Sequence, residues 1–116
     1  MIKTVRLEMA RGHEFPEGSS AHGYELRLPL TPAGKLDSES WATNRRASGF
    51  RRFWGGEEEH GEIHHRGHGW TLAFNPPGEA DEVIFRADDH HFAVGEYLSI
   101  KEKDGVTRTF RIAAIH

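Results

Sequence analysis

A chain of 116 residues, 36% hydrophobic and 28% charged, can build one hydrophobic core that buries roughly two-thirds of the unfolded surface. The absence of cysteine excludes a disulfide scaffold, a cysteine-liganded zinc ribbon and a thiol nucleophile. Fifteen Lys and Arg against eighteen Asp and Glu leave a charge of −3, which argues against a surface that embraces nucleic acid on every side and leaves room for a local basic patch.

Apolar and polar residues alternate from Ile2 to Met9, with Val5, Leu7 and Met9 at period two, the pattern of a strand with one buried face. Residues 13–23 are polar and broken by Pro16 and Gly18, so they read as a loop, and alternation resumes over Tyr24-Glu25-Leu26-Arg27-Leu28. Pro29 marks the end or the edge of that strand. Turn residues Thr31-Pro32-Ala33-Gly34 lead to a single helix signal, predicted over about 37–48. Asp37 is its cap, Leu36 and Trp41 have the spacing of a hydrophobic staple, Arg45 and Arg46 suit the last turn, and Gly49 is the stop. Beyond it, strands are expected at 50–54, 62–66, 70–74, 82–87, 97–101 and 107–115, separated by glycine turns. Gly67-His68-Gly69 and Asp104-Gly105 are short enough for hairpins, whereas 75–81, with Pro76, Pro77 and Gly78, is a longer loop.

Residues 1–116 therefore form one domain, mainly β. The expected architecture is a small, strongly bent antiparallel sheet rolled into a barrel, because some eight short strands must hide their edges, with the short α-helix plugging one end. The opening residues lack the apolar run of a signal peptide, no stretch has the length of a membrane span, and a cytoplasmic protein is expected.

Three constellations could carry chemistry. Nine histidines make the charge unusually sensitive to pH, since protonating all of them moves it from −3 to +6. Six of them, His60, His64, His65, His68, His90 and His91, lie among carboxylates and are candidate ligands for Zn²⁺ or another divalent metal, although His64 and His65 point to opposite faces of a strand. Arg45 and Arg46 with Arg51-Arg52-Phe53-Trp54 combine guanidinium groups with aromatic rings, a composition that contacts phosphates and stacks on unpaired bases. Serine, histidine and aspartate are plentiful, but none sits in a nucleophile elbow, and Gly55-Gly56 runs into three glutamates that would repel a phosphate. Asp88 and Asp89 read as a turn.

The residues Gly18-Ser19, Gly23-Tyr24, Trp41, Arg51-Arg52-Phe53-Trp54, Gly56-Glu57, His65-Arg66, Trp70, Phe74 and Phe92-Ala93-Val94-Gly95-Glu96-Tyr97 resemble a family of small uncharacterised bacterial proteins, a resemblance that implies a bacterial protein and no particular mechanism. Residues 86–115, opening Arg86-Ala87-Asp88-Asp89-His90-His91-Phe92, are locally similar to ASCH-type, PUA-like small barrels. That likeness implies RNA binding with Arg86 as a ligand contact, while the lysine and glutamate that precede the arginine in that family are missing, Ile84 standing two residues before it. The geometry that remains has Gly95 permitting a bend and Phe92, Val94, Leu98 and Ile100 lining one face or its rim.

The sequence is best read as a non-enzymatic binding or adaptor domain without a required cofactor, its contact surface formed by Arg45, Arg46, Arg51, Arg52, Phe53, Trp54 and Arg86. The alternatives are a histidine-based metal-binding protein or metal-dependent enzyme, and an RNA-binding domain. A macromolecular partner or RNA, and a homodimer paired through an edge strand, are the partners these readings allow.

Overall fold

Side chains alternate across a strand, so the phase of the apolar residues decides which face turns inward. The computed structural model describes residues 1–67 and 69–116. Eight strands follow one another in it: β1 (Ile2–Met9), β2 (Ser19–Pro29), β3 (Gly49–Trp54), β4 (Glu57–Arg66), β5 (Gly69–Asn75), β6 (Glu82–Ile84), β7 (Tyr97–Lys101) and β8 (Thr107–Ile115). Each pairs antiparallel with the next, and β8 returns to β1, closing the barrel. Closure occupies both sides of every strand, which removes the open edge through which a second copy would pair.

Register carries the inner face from strand to strand. Leu7 lies opposite Tyr24, Tyr24 opposite Arg52, Arg52 opposite Glu59 and, a level away, Ile63 opposite Leu72 and Leu72 opposite Glu82. An eight-stranded barrel has an interior just wide enough for side chains to fill. Trp70, Tyr24, Phe50 and Phe110 are its largest fully buried members. Gly61 is what lets Phe50 and Phe74 meet edge to face at 5.3 Å, because a Cβ there would lie 2.0 Å from the Ala73 carbonyl oxygen and 2.5 Å from the Phe50 ring.

The helix α1 spans Ser38–Thr43, and Asp37 caps it by accepting a hydrogen bond from the Ser40 backbone N–H at 3.1 Å. It is shorter than the predicted 37–48. Asn44 leaves helical geometry (φ −148°, ψ 70°), and Arg45–Ala47 form a separate 3-10 turn. Ser40, Thr43 and Asn44 are residues whose short polar groups compete for the backbone, and the Thr43 hydroxyl does bond the Ser40 carbonyl at 3.0 Å. Helix α1 is anchored by Trp41, whose indole N–H donates to the Ile63 carbonyl at 2.8 Å while its ring meets Trp70 edge-on at 5.9 Å. β6 also ends before the predicted residue 87, since Arg86 adopts a left-handed conformation (φ 52°) and a 3-10 turn follows at Ala87–Asp89. In that turn Asp88 accepts the Trp70 indole N–H at 2.7 Å. Gly95 does turn the chain (φ 96°), and Phe92, Leu98 and Ile100 are buried, but Val94 is 60% exposed and lies off the inner face.

Candidate functional site

Strand parity splits the Arg51–Trp54 strip in two. Arg51 and Phe53 turn outward: the Arg51 guanidinium pairs with Glu25 and Glu58, each at 2.9 Å, and the Arg6 and Arg51 guanidiniums cover the Phe53 ring at 4.4 and 5.0 Å. Arg52 and Trp54 turn inward with Phe50. Arg52 is 7% exposed, lies 3.9 Å over the Trp54 ring and directs Nε and Nη2 at Glu102 Oε2, both at 3.1 Å.

Arg52 thereby enters a charged cluster that fills one end of the barrel, the end of the loop after β5 and the turn between β7 and β8. Tyr24 from β2 places its hydroxyl between two carboxylates, 2.5 Å from Glu82 Oε1 and within hydrogen-bonding distance of Glu102 Oε2. Arg108 from β8 donates to Glu102 Oε1 at 2.8 Å and pairs outward with Glu14 and Asp104. Lys103 pairs with Glu59, and its backbone N–H donates to Glu82 Oε2 at 2.8 Å. Burial first, and then the two neighbouring carboxylates, push the Tyr24 phenol far above its usual range, so it stays protonated. Glu82 is wholly buried and Glu102 nearly so. The buried members of this cluster join strands β2, β3, β6 and β8 at this end of the barrel.

The candidate metal ligands are scattered. His60 is opposite Asn75 and His65 opposite Trp70, five residues apart along β4 and therefore about 17 Å at the rise of a strand. His60 has Glu58 at 3.6 Å and His64 has Glu62 at 3.0 Å, both at the surface. His65 stacks on Trp70 at 4.3 Å, with its Nε2 buried and, among the described residues, without a hydrogen-bond partner. His90 bonds the Phe85 carbonyl at 3.2 Å, while the ring of His91 is exposed beside Gly34. His68 lies outside the described residues. Among the described residues, no three His, Asp or Glu side chains converge as a metal ion would require.

At the helix end a cleft of about 530 Å³ opens between the 3-10 turn and the β4–β5 hairpin. Arg45 and Arg46 line it from the turn, Arg66 from the end of β4, and Trp41, Ile63 and Thr71 contribute to its wall. Among the described residues none of these three arginines forms an ion pair; Arg45 lies 4.7 Å over the Trp41 ring. The acidic side chains on the rim are Glu62, which is engaged by His64, and Asp81. Arg45 and Arg46 are thus brought together with Arg66, a residue outside the predicted surface, and separated from Arg51 and Arg52. Arg66 was findable only by knowing that β4 ends beside the 3-10 turn. Arg86 stands apart, exposed and 5.7 Å over the Phe85 ring.

Among the described residues no helix is long and apolar enough to cross a membrane. No family model matches the chain, and neither a curated protein nor a solved structure is detectably similar to it. Function therefore has to be argued from the site itself.

Proposed function

We propose that this protein is a non-enzymatic binding domain whose helix-end cleft takes a phosphate-bearing ligand. The observation that carries the reading is the convergence of Arg45, Arg46 and Arg66 on one cleft with no carboxylate among the described residues paired to any of them. A guanidinium matches a phosphate with two parallel hydrogen bonds and keeps its charge at every physiological pH, so three of them favour a multiply charged anion. The volume of about 530 Å³ falls in the range that holds a small ligand, or one or two residues of a longer one. Glu62 and Asp81 on the rim limit the positive field and so favour a ligand that also presents hydrogen-bond donors, as a nucleotide does.

The test is an amide-resolved NMR titration of the intact protein with inorganic pyrophosphate and, separately, with a single-stranded oligouridylate about eight nucleotides long, within the site size of one small barrel. Saturating shifts at residues 45–46 and 63–66, weakened by salt and abolished in the Arg45→Ala/Arg46→Ala variant, support the cleft. Saturation by pyrophosphate points to a small phosphate ligand, and saturation by the oligonucleotide alone to an RNA strand. If neither probe saturates, or if the double variant responds like the parent, the proposal fails.

A further inference from the structure

The three oxygens at the centre of the charged barrel end do not have enough protons if every carboxyl is ionised. Tyr24 Oη is 2.5 Å from Glu82 Oε1 and hydrogen-bonded to Glu102 Oε2, and a phenol carries one hydrogen. One of the two contacts would then set a bare carboxylate oxygen against an oxygen lone pair, in a place closed to water. A second proton resolves it, and the surroundings say where that proton sits. Glu102 receives the guanidinium groups of Arg52 and Arg108, the arrangement of an ionised carboxylate. Glu82 has Arg52 Nε no nearer than 3.9 Å, and its Oε2 is occupied by the Lys103 backbone N–H, which leaves Oε1 to carry a hydrogen toward Tyr24.

We propose that Glu82 is held as the neutral acid in the folded protein, donating to Tyr24, which in turn donates to Glu102, so that closure of this end of the barrel is a proton-dependent latch. The relay runs Glu82 O–H to Tyr24 Oη, then Tyr24 O–H to the Glu102 carboxylate that the two arginines hold. It spans strands far apart in sequence: Tyr24 on β2, Arg52 on β3, Glu82 on β6, Glu102 just past β7 and Arg108 on β8. Lys103 faces Glu82 through its backbone while its ammonium is taken up by Glu59 from β4, with Glu79 at 4.0 Å; β5 presents the Phe74 ring beneath that ammonium at 4.8 Å. Burial raises the Glu82 carboxyl above its usual range, against the lowering effect of its hydrogen-bond partners Tyr24 and Lys103 N–H, and the Glu102 charge adds to the rise.

The latch has a site to act on. β6 is three residues long, paired with β5 at three positions and with β7 at two, and Glu82 is its first residue. Ionising Glu82 would put two negative carboxylates on one hydroxyl and push this strand away from the turn after β7. Because the folded state holds the proton more tightly than the unfolded chain, the stabilisation is complete below the unfolded glutamate value of about 4.3 and is lost as pH rises through the higher folded value.

The deciding measurement is a pH titration of the Glu82 side-chain carboxyl carbon by ¹³C NMR in the wild-type protein, with urea midpoints of wild type and Glu82→Gln followed over the same range. An amide copies the hydrogen-bonding of the neutral acid, donating to Tyr24 and accepting from Lys103. The expected result is a neutral-acid chemical shift persisting well above the usual carboxyl range, and a wild-type midpoint that falls relative to that of Glu82→Gln as pH rises. An ionised-carboxylate shift at mildly acidic pH, or a Glu82→Gln midpoint displaced by the same amount at every pH, overturns the proposal. If the variant does not fold, the wild-type carbon shift alone decides.

Discussion

The two ends of this barrel use the same side chain in opposite ways. At the charged end Arg52 and Arg108 are drawn inward and bound to Glu102, with Tyr24 and Glu82 completing the hydrogen bonds. At the helix end Arg45, Arg46 and Arg66 stay exposed around a cleft, and among the described residues none is paired with a carboxylate. Pairing decides the role in each case. A buried guanidinium whose partner is fixed contributes to the fold and can do nothing else, whereas an exposed and unpaired one adds little to stability and keeps its hydrogen bonds for another molecule. Mutations should therefore separate the ends cleanly, the charged end moving stability and the helix end moving affinity.

The largest effect should come from Glu102→Ala. It takes the nearest carboxylate from the buried Arg52 guanidinium, while Arg108 keeps Glu14 and Asp104, and breaking one partner of a buried charge pair typically costs about 3–5 kcal/mol. Urea unfolding followed by tryptophan fluorescence measures it, and a loss under about 1 kcal/mol would mean that water reaches the cluster and that the end is not sealed. Tyr24→Phe comes next. It removes the hydroxyl that joins the two carboxyl groups, leaving the buried Glu82 O–H without its acceptor and Glu102 without one donor, a loss of about 1–3 kcal/mol. Both variants should bind pyrophosphate as the parent does wherever they remain folded.

The contrast between the ends was partly legible in the sequence. Period-two alternation located the eight strands, because Val5-Leu7-Met9 and Leu98-Ile100 can be buried only on one face, although β2 and β4 begin five residues before the expected 24 and 62; the barrel followed instead from the need of short strands to hide their edges. The same alternation carried the charged end as well: Arg52 is in phase with Phe50 and Trp54, and Glu102 is in phase with Leu98 and Ile100. A charged residue in step with a buried face signals an internal pair. Its partner, however, lies 50 residues away, and nothing local names it. Tyr24 and Glu82, 58 residues apart, are joined only by the closure of the sheet. The histidines mislead for the opposite reason, since density in sequence is not proximity in space, and a strand that puts His60 and His65 on one chain segment also holds them apart. Helix length was overread because a good cap and a good staple describe how a helix starts, whereas Thr43 and Asn44 decide where it ends.

That cap gives a smaller and differently signed prediction. Hydrogen bonds from the Ser40 backbone N–H and hydroxyl hold the Asp37 carboxyl below its usual range. Its contribution is therefore present above the unfolded aspartate value of about 3.9 and is lost as pH falls through the lower folded value. Asp37→Ala should lower the midpoint at neutral pH by less than Tyr24→Phe does and should flatten the acid limb of the stability curve. The charged end loses stability as pH rises and the cap loses it as pH falls, so one pH scan separates them; an acid limb unchanged in Asp37→Ala would show that the cap carries no pH-dependent stability.

The smallest expected effect on stability is also the one that tests the function. Among the described residues Arg46 has no ion pair, and substitution to alanine at such an exposed position should change stability by no more than about 0.5 kcal/mol. Arg51→Ala is the matched control: it removes ion pairs to Glu25 and Glu58 from an outer face distinct from the cleft, for about 0.2–1 kcal/mol. Both changes delete one positive charge from the same protein, so a ligand attracted only by overall charge would feel them equally. A ligand seated in the cleft loses two charge-assisted hydrogen bonds with Arg46 and none with Arg51. The expected outcome is an affinity for pyrophosphate that falls at least tenfold in Arg46→Ala, equivalent to about 1.4 kcal/mol, and stays within a factor of about two in Arg51→Ala. Equal losses in the two variants would turn the helix-end cleft back into ordinary charged surface.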